Sequence, residues 1–171
     1  VCCAACLMAA PAGPQPRVRT AYSSDTQSLM EAPETGTVEF LRQWLLREVS
    51  RVPVTTYIQD AALPDLCLHD SKAGEVAGDR FGDDLSPMKP PAEQDLARGI
   101  RGLRKERTDI LRVVSSTLRP RGIEVLAGVR MADTHHKRIA WDEALCPKFT
   151  MDHPEWVIRQ PDGRTNETAL D

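Results

Sequence analysis

Arg130, Asp133, His135 and His136 crowd into one short stretch, GIEVLAGVRMADTHH at 122–136, and each supplies a different kind of chemistry. A guanidinium offers a planar fork of donors that can clamp a hydroxyl or orient a carboxylate. A carboxylate accepts hydrogen bonds or takes part in acid/base work, and imidazoles donate hydrogen bonds or bind a metal. Their position matters as much as their type. Ile123, Val125, Leu126, Ala127 and Val129 form an apolar run of the kind found in a parallel strand covered on both faces. The polar group follows at its carboxyl end, where α/β folds bind ligands. An ordinary polar loop after a strand is the plainer alternative.

The elements that must position this group can be read upstream. Arg17 to Tyr22 alternates as a first strand, ending in Ser23, Ser24 and Asp25. Thr37 is placed to cap a helix whose packing face is Val38, Leu41, Trp44, Leu45 and Val49, with Glu39 in its first turn. Val52 to Gln59, rich in β-branched residues, predicts a second strand with Asp60 at its end and Pro53 near its start. From Ala61 to Pro91 the chain is rich in Asp, Gly and Pro and reads as a long solvated loop on the active face of the sheet. Its Asp79, Asp83 and Asp84 lack the spacing of an EF-hand loop. Helices are expected over Ala92 to Lys105 and, capped by Thr108, through Ile110, Leu111, Val114 and Leu118, with Pro120 and Gly122 as the stop.

The order strand, helix, strand, helices, strand predicts an α/β fold with right-handed parallel crossovers, either the first three strands and helices of an incomplete (β/α)8 TIM-type barrel or those of a doubly wound sheet. The chain has 171 residues, 41% hydrophobic and 27% charged. A complete barrel of that type takes about 250 residues, so both ends read as cuts. Three strands alone would leave an open sheet edge and an apolar interior, and a protein truly ending at Asp171 is expected to aggregate or pack loosely.

A net charge of −3 and a pI of about 5.8 argue against nucleic acid or an anionic membrane as the main partner. The cluster Arg98, Arg101, Arg104, Lys105, Arg107, Arg112, Arg119 and Arg121 is interleaved with Glu93, Asp95, Glu106 and Asp109, the pattern of a solvated helix face. No internal repeat and no phosphate-cradling glycine loop is present. No apolar stretch outside the first residues approaches the ~18 needed to span a bilayer.

Residues 1–13, VCCAACLMAAPAG, read as the remnant of a secretory signal peptide whose Ala10 to Ala12 matches an A-x-A cleavage pattern, with 14–16 as a linker and 17–171 as the barrel portion. Cys2, Cys3 and Cys6 then serve as small apolar residues, Cys6 doubling as a degenerate lipoprotein acceptor. The expected location is therefore periplasmic or extracellular. Cys67 and Cys146 would remain in the mature part, either as a disulfide or as two buried thiols.

At Arg130 to His136 (RMADTHH) the chain resembles the glycosyl-hydrolase-like proteins grouped as family 10 glycosylhydrolases, large (β/α) barrel proteins of bacterial secretomes, whose strand typically ends Arg-Met-Asn-Asp-x-His. The resemblance continues through Tyr22 to Asp25, Asp70 to Lys72, Thr108 to Leu111, Lys148 and Phe149, His153 to Trp156 and Ala169 to Asp171, covering Arg17 to Asp171. It rests on the order and spacing of motifs that are individually unspecific. Ala132 departs from it, standing where Asn is expected and removing a carboxamide that would bond a sugar hydroxyl.

The resemblance implies action on a glycosidic linkage, chemistry that takes two carboxyl groups flanking the scissile bond. In related sugar-cleaving barrels these lie on later strands, so the residues present are expected to hold substrate instead. Arg130, Asp133, His135, His136, Asp25 and Asp60 form the expected substrate-binding set, with Asp133 also a candidate for a catalytic carboxylate. Trp141 joins them as a surface for stacking on sugar rings; Trp156 fits either stacking or a loop anchor. No metal or other cofactor is expected, and the partner implied is a carbohydrate.

Two other readings stand beside this one. A metal-dependent hydrolase would use Asp133, His135 and His136, with His153 as a further ligand. Successive side chains of an extended chain face opposite ways, which argues against the two adjacent histidines sharing an ion. A non-catalytic carbohydrate-binding or surface protein on the same fold is the other, and Ala132 is its sequence argument.

Overall fold

The computed structural model describes residues 18–63, 66–130, 139–157 and 161–163. The expected signal remnant and linker, and Ala132, Asp133, His135 and His136, lie outside the described residues.

The described chain is a mixed α/β structure built on a mostly parallel sheet. β1 (Ala21–Ser24) pairs in parallel with β2 (Thr56–Leu63), from Ala21 opposite Thr56 to Ser24 opposite Gln59. On the other side of β2 lies β5 (Glu124–Val129), again parallel, from Thr56 opposite Glu124 to Asp60 opposite Gly128. The three strands foreseen from the sequence thus exist as parallel neighbours, although the first runs over Ala21–Ser24 and takes in Ser23 and Ser24, which were expected beyond its end. Their register slips between Asp60 and Ala62, where β2 carries an irregularity before Ala62 meets Val129. β2 starts four residues later than expected, because Arg51 to Pro53 forms a turn and Val54 bonds back to Val52. It also runs past Asp60, which sits inside the strand instead of at its end.

Helices cover the Tyr22, Tyr57 and Val125 face. α1 (Gln27–Glu31) and α2 (Thr37–Ser50) connect β1 to β2, and α3 (Glu93–Lys105) and α4 (Ile110–Leu118) precede β5. Leu29, Leu41, Leu45, Tyr57, Leu96, Ile100, Ile110 and Leu118 join one buried core, with the Tyr22 and Tyr57 rings stacked 5.3 Å apart. Two caps differ by one residue from expectation. Gly36, in a left-handed conformation, precedes α2, and Thr37 instead donates its hydroxyl to Pro33 O at 2.6 Å. Asp109, not Thr108, caps α4: its backbone is extended and its carboxylate accepts from Arg112 N, a free amide of the first turn, at 2.8 Å.

The expectation that the third strand is covered on both faces is wrong. Of β5 only Val125 is buried, while Leu126 and Val129 are about half exposed. β2 is the only partner strand of β5 among the described residues, and the described helices lie on one side of it.

The segment after β2 is also not a solvated loop. Its first turn forms β3 (Leu66–Cys67), antiparallel to the end of β2, and β4 (Glu75–Val76), parallel to β3. Phe81, Leu85 and Met88 then bury a second small core with Ala97 and Ala144. Its acidic groups meet the basic face of α3, so that face is not simply solvated either. Arg104 pairs with Asp79 at 2.5 Å and Asp70 at 2.6 Å, and Arg101 donates to the carbonyls of Gly82 and Asp83. The apolar contact with Ala97 docks the excursion on α3, and these polar contacts line its rim. Cys67 and Cys146 are both buried as thiols. No described helix is long and apolar enough to cross a membrane.

Candidate functional site

Three carboxyl-terminal strand positions converge. Arg130 directly follows β5, and its backbone N–H donates to Ala62 O at 3.0 Å, which fixes the start of its side chain against β2. Its Nη2 lies 3.4 Å from Asp60 Oδ2 and 3.7 Å from Asp25 Oδ2. The two carboxylate oxygens are therefore no further apart than the sum of those distances. Asp25, Asp60 and Arg130 come from β1, β2 and β5 in sheet order, so the parallel topology brings together residues far apart in sequence.

Each carboxylate is held by its own local structure. Asp25 Oδ1 accepts from Gln27 N at 3.1 Å, starting α1 while leaving Oδ2 toward Arg130. The Asp60 side chain is 14% exposed and that of Asp25 is 53% exposed. Asp60 fits because its partner across the sheet is a glycine: a Cβ at Gly128 would come within 2.6 Å of Asp60 Oδ1. The strand irregularity just beyond Asp60 is a device that commonly re-aims a side chain beside a site.

Gln59 completes the arrangement from the opposite face of β2. It is fully buried, and its Nε2 donates to Asp25 O at 2.9 Å and Asp60 O at 3.2 Å, with Ser24 O at 3.4 Å. One amide thus ties the backbones that carry both carboxylates. Sequence reasoning missed Gln59 and Gly128. The available signals were a lone polar residue within a buried strand and a glycine inside an apolar one, a mark of close approach.

A cleft of about 570 Å³ opens beside this group, lined by Ser23, Asp25, Trp44, Arg47, Asp60 and Arg130 among others. Trp44, read from the sequence as core, is buried and also forms part of this wall. A larger cleft of about 740 Å³ lies between α3 and the excursion, but its cations Arg98, Arg101, Arg104 and Lys105 are each bonded to a neighbouring carboxylate or carbonyl.

Trp141 is not part of the strand-end cleft. It packs edge-on to Phe81, with ring centroids 5.0 Å apart, at the margin of the second core. His153 Nδ1 lies 3.3 Å from Glu155 Oε1 and its ring stacks on Trp156, and no group of three or more potential metal ligands is found among the described residues. At the base of the sheet, on the same face as Asp60, Thr56 Oγ1 donates to Glu124 Oε2 at 2.9 Å and Arg19 pairs with Glu124. Opposite ends of one sheet face are thus polar, with Ile58 and Leu126 between them.

Chemically, the strand-end group alternates acceptors with a donor fork. That arrangement suits neutral ligands rich in hydroxyls, which both donate and accept. A glycosidic general acid usually sits in apolar surroundings; Asp25 is half exposed and Asp60 faces a guanidinium.

Comparison of the chain with protein-family models, with curated proteins and with solved structures finds no match in any of the three.

Proposed function

We propose that this chain supplies three consecutive strands of an exported, glycoside-hydrolase-like (β/α) barrel, and that Asp25, Asp60 and Arg130 grip sugar hydroxyls at the strand ends. The observation that carries the reading is the single Arg130 nitrogen facing carboxylates from two neighbouring parallel strands. The resemblance around Arg130 supports the same class of ligand. A guanidinium shared by both carboxylates favours a holding role over cleavage, which also keeps the non-catalytic carbohydrate-binding reading in play.

The test is calorimetric titration of the chain with neutral xylo-, cello- and chito-oligosaccharides, alongside an assay for released reducing ends. Arg130→Met should weaken binding by about 10- to 100-fold, the worth of a charge-assisted hydrogen bond of about 1.5–3 kcal/mol. Binding without sugar release selects the non-catalytic form. An unchanged affinity in Arg130→Met, or no binding to any of the sugars, removes the proposal.

A further inference from the structure

Phe149, His153 and Trp156 build an aromatic cluster that belongs to neither core. Phe149 lies on α5 (Lys148–Asp152), His153 follows it, and Trp156 ends the turn Pro154–Trp156; neither short helix buries a residue. The rings pack on one another instead. His153 and Trp156 are stacked with centroids 5.0 Å apart and planes 26° off parallel, and Phe149 meets Trp156 edge-on at 5.4 Å. One face of the indole is thereby backed, while Trp156 remains 67% exposed.

The base of the cluster is tied down. Lys148 N donates to Glu75 Oε2 at 2.7 Å, and Arg80 bonds the carbonyls of Glu143 and Cys146. Glu75 begins β4, which reaches the end of β2 through β3. The cluster is therefore anchored to the excursion that leaves the strand-end side of the sheet. Its rim is charged: Glu155 and Asp152 are largely exposed, with partners in His153 and Lys148.

We infer that Trp156, backed by His153 and Phe149, is a stacking platform for a pyranose ring of a neutral oligosaccharide. This rests on the carbohydrate reading above and adds a second contact to it. A pyranose offers a flat C–H face of about the breadth of an indole and a ring of hydroxyls at its edge. The C–H face suits the exposed side of Trp156, and the rim carboxylates of Glu155 and Asp152 suit the hydroxyls. Size argues against a protein partner. At their exposures the three rings present on the order of 300 Å², well short of the roughly 800 Å² per partner of a stable protein interface.

The test uses the full chain and the same xylo-, cello- and chito-oligosaccharides, followed by tryptophan fluorescence. Trp156→Ala should weaken binding by 10-fold or more while circular dichroism stays unchanged, and Trp156→Phe should keep most of the affinity. If Trp156→Ala binds as the parent does while Arg130→Met loses affinity, the platform is overturned and the strand-end reading survives. The reverse pattern supports the platform and overturns the strand-end reading. No binding by the parent chain sinks both. Concentration-dependent self-association that disappears in Trp156→Ala would show the patch to be a contact between copies, and would also overturn the platform.

Discussion

Asp60 and Gly128 face each other across β2 and β5, and the carboxylate of the first occupies the space a side chain on the second would need. The clash at 2.6 Å involves only the far end of Asp60, a movable group. Gly128→Ala should therefore leave the thermal midpoint within a few degrees, since alanine also relieves the cost of glycine in a strand, about 0.5–1 kcal/mol. Its effect should appear at the site: the Arg130 Nε–H resonance should shift or broaden as Asp60 is pushed from the guanidinium. An unmoved resonance would mean that Gly128 does not set the position of Asp60.

Gln59 should be needed for stability as well as geometry. Gln59→Leu removes the side-chain donor to the partly buried carbonyls of Asp25 and Asp60, at a cost of about 0.5–1.5 kcal/mol. Gln59→Glu should cost more at neutral pH, because it sets a buried carboxylate against those same carbonyls. Urea unfolding ranks the three proteins, and a Glu variant as stable as the Leu variant would contradict the assignment of Nε2 as the donor.

Gly99 should tolerate no side chain. A Cβ there would run into the backbone carbonyl of Leu29, where α3 crosses α1. In an open helix Gly→Ala gains up to about 1 kcal/mol. Here the helices must part, so Gly99→Ala should destabilise by roughly 1–3 kcal/mol. A raised midpoint in thermal melts would refute the close crossing.

Alkaline pH should unfold this protein as its tyrosines ionise. Tyr22 and Tyr57 are the chain's two tyrosines, and burial raises both above the usual phenol value, with the Glu48 carboxylate also raising Tyr22. The unfolded chain loses these protons near pH 10 while the native state keeps them, so stability is full below that pH and falls above it. Tyrosinate absorbance should stay low in the native protein and rise together with loss of helical circular dichroism. Absorbance that rises near pH 10 with the fold intact would disprove this. Tyr57→Phe should retain stability to higher pH.

Much of this architecture was legible in the order of residues. Alternation, β-branched content and an apolar run located three parallel strands, and period-3.6 patterns and turn signals the helices over Thr37–Ser50, Glu93–Lys105 and Ile110–Leu118, because burial leaves a local record. Asp25 and Arg130 were also identifiable as polar residues at strand ends, and Asp60 as a polar residue of the second strand, although it lies inside β2 and not at its end. What lay beyond reach was how the strands align. The register that sets Asp60 against Gly128, and the reach of Gln59 to the backbones of two strands, depend on partners 34 or more positions apart. The excursion after β2 looked like a solvated loop because Asp and Gly dominate it. Its burial follows from Phe81, Leu85 and Met88 packing against Ala97 of a distant helix, with Arg104 paired to Asp70 and Asp79 at the rim. Trp141 and Trp156 were indistinguishable as sequence symbols; contact with Phe81 in one case and His153 in the other separated their roles. Periodicity is a property of neighbours along the chain, whereas pairing across space is decided only once the chain has packed.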